Sequence, residues 1–332
     1  MRVTIKDIAN KVGVTAATVS MVINNNKKIS EPTREKVLKA IQEMNYHPNY
    51  IGRSLVMGKT DNICLVATSF TSFFSVELIK GVEQRLAGTK YNLSLYSTRG
   101  IAENEKDILG KIFYERRVDG VIGMTATFDK KLIEEFKNQE MPVVLVEQAT
   151  ESAPCVKVDN VKGAYIATDY LIKKGKKNIA IVMGQKGASN SDERQAGYEK
   201  AFADNGMQVS HDNIFRIVQY SFEEGKEIMR KIINSGKKID AIFSAAGDIL
   251  ALGIMTEAKI HNIRIPDDLA VIGYDDLYMA TLITPALTTV KQPISEMGMQ
   301  ALDMLLNIIE KKTSEASRVI SFEPSLIIRD SA

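Results

Sequence analysis

From residue 61 onward the chain alternates short apolar runs with amphipathic stretches of helical period. The runs are ICLVAT, YNLSLYST, GVIGM, PVVLVE, CVKVD, NIAIVM, IFRIV, AIFSA and LAVIGYD. Between them lie VELIKGVEQRLAG, KDILGKIFYERR, KKLIEEFKNQ, AYIATDYLIKKG, ERQAGYEKAFADNG and ILALGIMTEAKIHN. Most of the runs are apolar at successive positions, which is how strands buried on both faces read. Strand–helix alternation of this kind builds parallel sheets with helices on both faces. The length suits two sheets of five or six strands, with the break near Asp159. The tail TTVKQPISEMGMQALDMLLNIIEK, then SRVISFEPSLIIR, supplies a last helix and late strands that cross back between lobes. The expected lobes are 61–158 plus 289–321, and 159–288 plus 322–332. Open α/β sheets bind ligands outside the carboxyl ends of their strands, so two facing sheets make a cleft. A cleft that closes is a two-state element that another module can sense.

The first 46 residues read differently. Thr4 caps IKDIANKV, and Asp7 three residues on completes a capping box. Gly13 breaks the pattern in a short turn. Thr15 caps AATVSMVIN, and Ser30 caps EPTREKVLKAIQEMN, with Pro32 in its first turn. Two short helices joined by a tight Gly-containing turn, then a third, are the helix-turn-helix arrangement. Residues 47–60 follow as a hinge. Pro48 ends the third helix, and Asn49 could cap a short helix YIGRSLVM that is unstable alone in water.

Charge divides the chain in the same place. Residues 1–60 hold ten Lys/Arg against four Asp/Glu; the other 272 hold 33 against 37. A basic head on a mildly acidic body points to a nucleic-acid-binding module joined to something else. Cys64 and Cys155 lie in apolar runs and read as inert core thiols, which fits a reducing cytoplasm. No signal peptide and no membrane span is expected. An enzymatic reading finds no support: His47, His211 and His261 have neither a nucleophile motif nor metal-ligand spacing beside them, and no phosphate-cradling loop is present. No cofactor, metal or catalytic residue is expected.

Taken together, TIKDIANKVGVTAATVSMVINN, ISEPTREKVLKAIQEMNYHPN, RVDGVIGM, KGAYIATDYLIKKGKKNIAIVMG, ERQAGYEKAF, GDILALGIM, IPDDLAVIGYDD, PALTTVKQP and FEPSLIIR resemble the lactose/galactose repressor family of transcription regulators. The resemblance covers essentially the whole chain. It implies a homodimer whose paired heads bind a pseudo-palindromic operator in double-stranded DNA. It also implies a periplasmic-binding-protein-like core that closes on a small effector.

In the core, Asp275 ends the run LAVIGYD and Arg194 opens a helix after the polar loop GASNSD. An Arg and an Asp facing one cleft can bracket neighbouring hydroxyls, and the resemblance puts both at effector-binding positions; the bland alternative for Arg194 is a local cap or ion pair. Asp248, at another strand-to-helix turn, serves equally as N-cap or ligand contact. Before it stands Gly247, where many sugar-responsive members carry Asn. Phe73 and Phe74, adjacent in a polar loop, are candidates to stack on the effector. Phe222 is a weaker one, and Asn190 or Ser191 could add a hydrogen bond. The purine-responsive member has a further Arg on the loop before the position of Arg194. KGASNSD holds none, so a neutral sugar or polyol is expected.

In the head, phosphate contacts position and base contacts specify. Thr4, Thr15, Thr18, Ser20, Asn24, Lys28, Ser30, Thr33 and Arg34 are the phosphate candidates, while Val19, Val22 and Val37 read as core. The resemblance assigns base reading to Ala16, Ala17 and Met21. Most members carry Arg where Met21 stands, and a bidentate Arg–guanine pair is worth ~1–3 kcal/mol of discrimination. Apolar contacts with thymine methyls remain. By the same resemblance Leu55 enters the minor groove at the operator centre and wedges a flexible step, with Arg53 beside it. Two alternatives stay open: a sugar-binding protein or carbohydrate enzyme on the same body, and a regulator controlled by a protein corepressor.

Overall fold

The structure, a computed structural model, describes residues 3–24, 26–46, 58–124, 128, 130–311 and 318–332. It divides into two units, Met1–Asp61 and Asn62–Ala332. The expected hinge helix lies outside the described residues.

The first unit holds three helices, α1 (Ile5–Val12), α2 (Ala16–Ile23) and α3 (Glu31–Glu43). The capping box forms as the sequence predicts: the Asp7 N–H donates to the Thr4 hydroxyl, and the Thr4 N–H donates to Asp7 Oδ2 at 2.8 Å. Those bonds hold the Asp7 carboxyl below its ordinary pKa. Gly13 takes the left-handed conformation (φ 76°) that lets the chain turn between α1 and α2. Thr15 caps α2 by accepting from the Thr18 N–H at 3.1 Å. Ser30 departs from expectation. It stands at the N-cap of α3 but makes no side-chain cap bond; its hydroxyl pairs with that of Thr33 at 2.9 Å instead. Ile8, Val19, Val22 and Val37 form the centre of the small core.

The second unit alternates strand and helix as its pattern demands. Its first half runs β1 (Asn62–Ala67), α4 (Phe73–Leu86), β2 (Asn92–Ser97), α5 (Ala102–Tyr114), β3 (Gly120–Gly123), α6 (Lys130–Asn138), β4 (Val143–Val146) and β5 (Cys155–Val158). Then come α7 (Asn160–Lys173), β6 (Ile179–Met183), α8 (Ser189–Asp204), β7 (Ile214–Arg216), α9 (Phe222–Asn234), β8 (Ala241–Ser244), α10 (Asp248–Ile260) and β9 (Ala270–Asp275). The tail adds β10 (Thr288–Lys291), α11 (Ile294–Ile309), β11 (Val319–Phe322) and β12 (Ser325–Ile327).

The strands form two six-stranded sheets, ordered β11-β5-β4-β3-β1-β2 and β12-β10-β9-β8-β6-β7. The first is wholly parallel; the second has one antiparallel edge, β12 on β10. The chain therefore passes between sheets at 158–160, at 291–294 and at 322–325. Residues 289–291, assigned above to the first lobe, lie on β10 in the second sheet, because Thr288–Lys291 pair with Ile272–Asp275. The crossing begins only after Lys291, where the ladder ends, and Pro293 then stands at the N-cap of α11.

Helix α11 returns to the first sheet and buries Met297, Leu302 and Leu305 completely, each worth ~1.5–3 kcal/mol against exposure. It packs backbone to backbone on α4. A Cβ at Gly81 would overlap the Ser295 carbonyl, and one at Gly298 the Leu78 carbonyl. No helix among the described residues is long and apolar enough to cross a membrane.

Candidate functional site

In the head, α2 presents a sparse surface. Ala17 is exposed and Met21 half-buried, whereas Ala16 packs against the head core. The Thr18 hydroxyl pairs with that of Thr15 at 2.9 Å. Ser20 is half-buried, and Thr4, Asn24 and Lys28 are exposed. The Arg34 guanidinium donates to the Asn26 carbonyl at 2.7 Å, which ties α3 to the loop after α2. Arg53 and Leu55 fall outside the described residues.

In the core, the carboxyl ends of the two sheets meet. Lys157 on β5 pairs with Glu193 on α8, and Glu147 just after β4 reaches Asn160 at the start of α7. Arg194 lies at this junction, 7% exposed. Its Nε donates to Asn160 Oδ1 at 2.7 Å, and its Nη1 to the Ala245 carbonyl at 2.6 Å. Its guanidinium carbon sits 3.7 Å from the centre of the Tyr274 ring, a cation–π stack. The helix carrying it starts earlier than the sequence suggests. Asn190 and Ser191 lie within α8, not in a loop, and the Asp192 carboxylate reaches back to the Gly187 N–H at 3.1 Å. Ser191 is buried, and Asn190 accepts from the Ser191 N–H.

Asp275 follows Tyr274 with φ 114°, an unfavourable conformation for a side-chain-bearing residue. Strain of this kind concentrates where a side chain is aimed. Gln292 Nε2 donates to Asp275 Oδ1 at 2.5 Å. Gly247 (φ 112°) passes close by: a Cβ there would stand 3.0 Å from Asp275 Oδ2. Burial pushes the Asp275 carboxyl up to about 6, against the pull of Arg194 and the Gln292 bond. Asp248 is wholly buried behind it. Its oxygens accept from the Leu277 N–H (2.7 Å) and the Thr289 hydroxyl (2.6 Å), which fixes the turn after β9 onto β10. Burial, then the neighbouring Asp275, raises its carboxyl well above the ordinary value. Glu147 is raised too, by burial, with the Asn160 bond and the Arg194 charge opposing.

The arrangement thus brings Arg194 and Asp275 into one electrostatic group, with Asp248 one layer deeper as a support. The aromatic candidates separate. Phe73 and Phe74 form the first turn of α4, capped by Ser72, rather than a loop; Phe73 is exposed, and Phe74 packs on the first-lobe core. Phe222 likewise starts α9, with Lys226 over its ring. Sequence reasoning missed Tyr220, two residues earlier. Its hydroxyl occupies the place a Cβ of Gly184 would take, beside the Ser191 hydroxyl, at the carboxyl end of β6. An aromatic just before the Ser221 cap and just after a strand was the available signal. Asn160, Glu147 and Gln292 were missed as well. Among the described residues no group of three or more His, Cys, Asp or Glu could hold a metal ion.

Residues 4–49 match the family described as bacterial regulatory proteins, lacI family, and residues 168–332 match the periplasmic binding protein-like domain. The chain is 35% identical to the HTH-type transcriptional repressor PurR of Vibrio campbellii (strain ATCC BAA-1116), over 98% of each chain. It is 33% identical to the HTH-type transcriptional regulator RegA of Clostridium saccharobutylicum, over 100% of this chain and 99% of that one. Among solved structures, a transcriptional regulator CelR–cellobiose complex superposes with TM-score 0.76 at 28% identity, covering 100% of both chains. The lac repressor dimer bound to operator and the anti-inducer ONPF superposes with TM-score 0.87 at 24% identity, covering 100% of this chain and 99% of that one, and shares the fold. These relatives are regulators and not enzymes. The chain belongs to the LacI family of bacterial DNA-binding transcriptional regulators, with a helix-turn-helix head and an effector-binding core of periplasmic-binding-protein type.

Proposed function

We propose that this regulator acts in the cytoplasm as a homodimeric repressor on a pseudo-palindromic operator, controlled by a neutral sugar or polyol held between the core lobes. The observation that carries the effector reading is the Arg194–Asp275 group: a guanidinium fixed flat on Tyr274, and on the next residue a carboxyl held by Gln292 and under the charge of that guanidinium. One donor and one acceptor, both preorganised, suit vicinal hydroxyls. Tyr220 and Phe73 supply apolar faces for a sugar ring. Two solved structures, the CelR–cellobiose complex and a LacI-family regulator from Enterococcus faecium with bound ribose (25% identical, TM-score 0.72, covering 81% of this chain and 98% of that one), support the sugar class.

Apolar side chains left in solvent, among them Val76, Tyr278 and Leu282, support a dimer. Ala17 and Met21 offer the operator apolar contacts, with register from Thr4, Thr15, Thr18, Ser20, Asn24, Ser30 and Thr33. The minor-groove wedge assigned to Leu55, with Arg53, completes the reading.

The test is a thermal-shift screen of the full chain against sugars, sugar phosphates and nucleobases. A sugar or polyol should raise the melting temperature, and Arg194→Lys should remove that rise. A response to nucleobases alone overturns the sugar assignment. No response to any small molecule, together with stabilisation by a captured protein, favours a protein corepressor.

A further inference from the structure

Arg194 is held in place by a residue that no motif singles out. Asn160 opens α7, two residues after β5 of the first sheet ends, and it is 1% exposed. Its oxygen accepts from Arg194 Nε (2.7 Å) and from the Tyr274 hydroxyl (3.2 Å). Its Nδ2 donates to Glu147 Oε2 (3.0 Å) and Glu193 Oε2 (3.3 Å). Glu147 in turn accepts from the Val158 N–H at 2.7 Å, so it is clamped to the end of β5 in the first lobe. An Asn side chain has two acceptor sites and two donors, and all four are engaged here. The oxygen side holds the second lobe's arginine and tyrosine. The nitrogen side holds the first lobe's Glu147 and, through Glu193, Lys157. Glu147 itself stands at φ 61°, a strained conformation at the same junction.

We propose that Asn160 is a positioning residue that relays lobe geometry to the effector-binding arginine: its amide ties Arg194 and Tyr274 in one lobe to Glu147 in the other. Opening of the lobes draws Glu147 off the Asn160 amide and frees that side chain to turn. The guanidinium then loses the acceptor that fixes its plane. Conversely, a ligand that holds Arg194 flat on Tyr274 favours the arrangement in which Glu147 is seated. The rigidity of the network makes the coupling discrete, because a buried amide turned over would face donor with donor. The relay gains its regulatory meaning from the reading of Arg194 as an effector contact, but its existence is testable without any effector.

The experiment follows hydrogen exchange at the Arg194 Nε–H in the full chain labelled with ¹⁵N-arginine. Arg194→Lys assigns the resonance. Arg230, whose Nε donates to Glu257 Oε1 elsewhere in the second lobe, is the internal control for general loosening. Glu147→Gln places an NH2 where two donors need acceptors. It should speed exchange at Arg194 at least tenfold while leaving Arg230 within twofold. In an Asn160→Ala background the same Glu147→Gln change should add less than twofold. The double variant Asn160→Asp/Glu147→Gln exchanges amide and carboxylate at constant charge, and should recover at least half of the lost protection on a logarithmic scale.

The relay is overturned if Glu147→Gln leaves Arg194 unchanged, or if its effect persists undiminished without Asn160, which would mean direct electrostatics. Equal acceleration at Arg230 overturns it too, as mere destabilisation. Failure of the effector reading looks different: coupling intact, with the sugar-induced thermal shift untouched by Arg194→Lys.

Discussion

Replacing Asp275 by Asn tests the electrostatics of the cleft on its own terms. Burial raises this carboxyl from 3.8 to about 6 in the folded chain. The native state therefore keeps its proton over a range where the unfolded chain has released it. The stability that this raised pKa contributes is fully present below about pH 4 and is lost as pH rises through about 6. At 1.36 kcal/mol per tenfold change in proton affinity, the loss is about 3 kcal/mol, shared with Asp248, whose carboxyl is raised in the same sense. Asn has nearly the same shape and still offers an oxygen to Gln292 Nε2, but it does not titrate. The variant should match wild type near pH 4 and exceed it by up to about 3 kcal/mol at pH 7. Urea denaturation followed by far-UV circular dichroism from pH 4 to 7 reads this, and the difference between the two proteins cancels the oppositely signed contributions of Asp268 (about 2) and the other lowered carboxylates. A difference that is independent of pH, or one that favours the variant most at low pH, would refute the reasoning. The same substitution should weaken effector binding, because it removes the carboxylate charge paired electrostatically with Arg194 in the proposed site.

Further outcomes follow from particular contacts. Gly81→Ala forces a methyl into the Ser295 carbonyl and must push α4 from α11; overpacking of this kind costs ~1–3 kcal/mol, visible as a lower melting temperature of the core. Thr4→Ala removes the hydroxyl that accepts from the Asp7 N–H, while the backbone N–H at position 4 still reaches Asp7, and should destabilise the head by about 1 kcal/mol in thermal melts, with the core transition unmoved. Tyr220→Ala should leave the fold intact, since the residue is 56% exposed, yet abolish most of the sugar-induced thermal shift. Met21→Arg should change the base preferred opposite that residue toward guanine when operators are selected from random DNA; the same base from both proteins would count against a reading role.

The architecture was legible because its strands are short apolar runs at regular spacing, and every run named from β1 to β9 pairs in a sheet. The tail was harder: Thr288–Lys291 carries too little apolar pattern to say which sheet it joins, and only the ladder with β9 decides it. Arg194 and Asp275 were visible as charged residues at strand–helix boundaries. Phe73 and Phe74 were misplaced into a loop because Ser72, the true cap, is one of several polar residues there. Tyr220 escaped for a related reason, overshadowed by Phe222 on the helix it precedes. Asn160 could not be read at all. Its partners lie 13, 33, 34 and 114 residues away, and side-chain amides leave no periodic trace.

A buried polar network is also why sequence resemblance alone understates this cleft. Gly247, which lacks the side chain many family members carry there, is not simply a missing contact. Its φ of 112° and its close approach to Asp275 mean that an Asn introduced at that position meets backbone strain as well as new chemistry.

In the proposed function, occupancy of the Arg194–Asp275 cleft sets the affinity of the head for DNA. The direct measurement is fluorescence anisotropy of the full chain on an operator selected with it from random DNA, titrated with the sugar that gives the largest thermal shift. Saturating sugar should change the operator dissociation constant at least tenfold in wild type and less than twofold in Arg194→Lys. An operator affinity that ignores the sugar in wild type, or responds equally in the variant, would contradict the account.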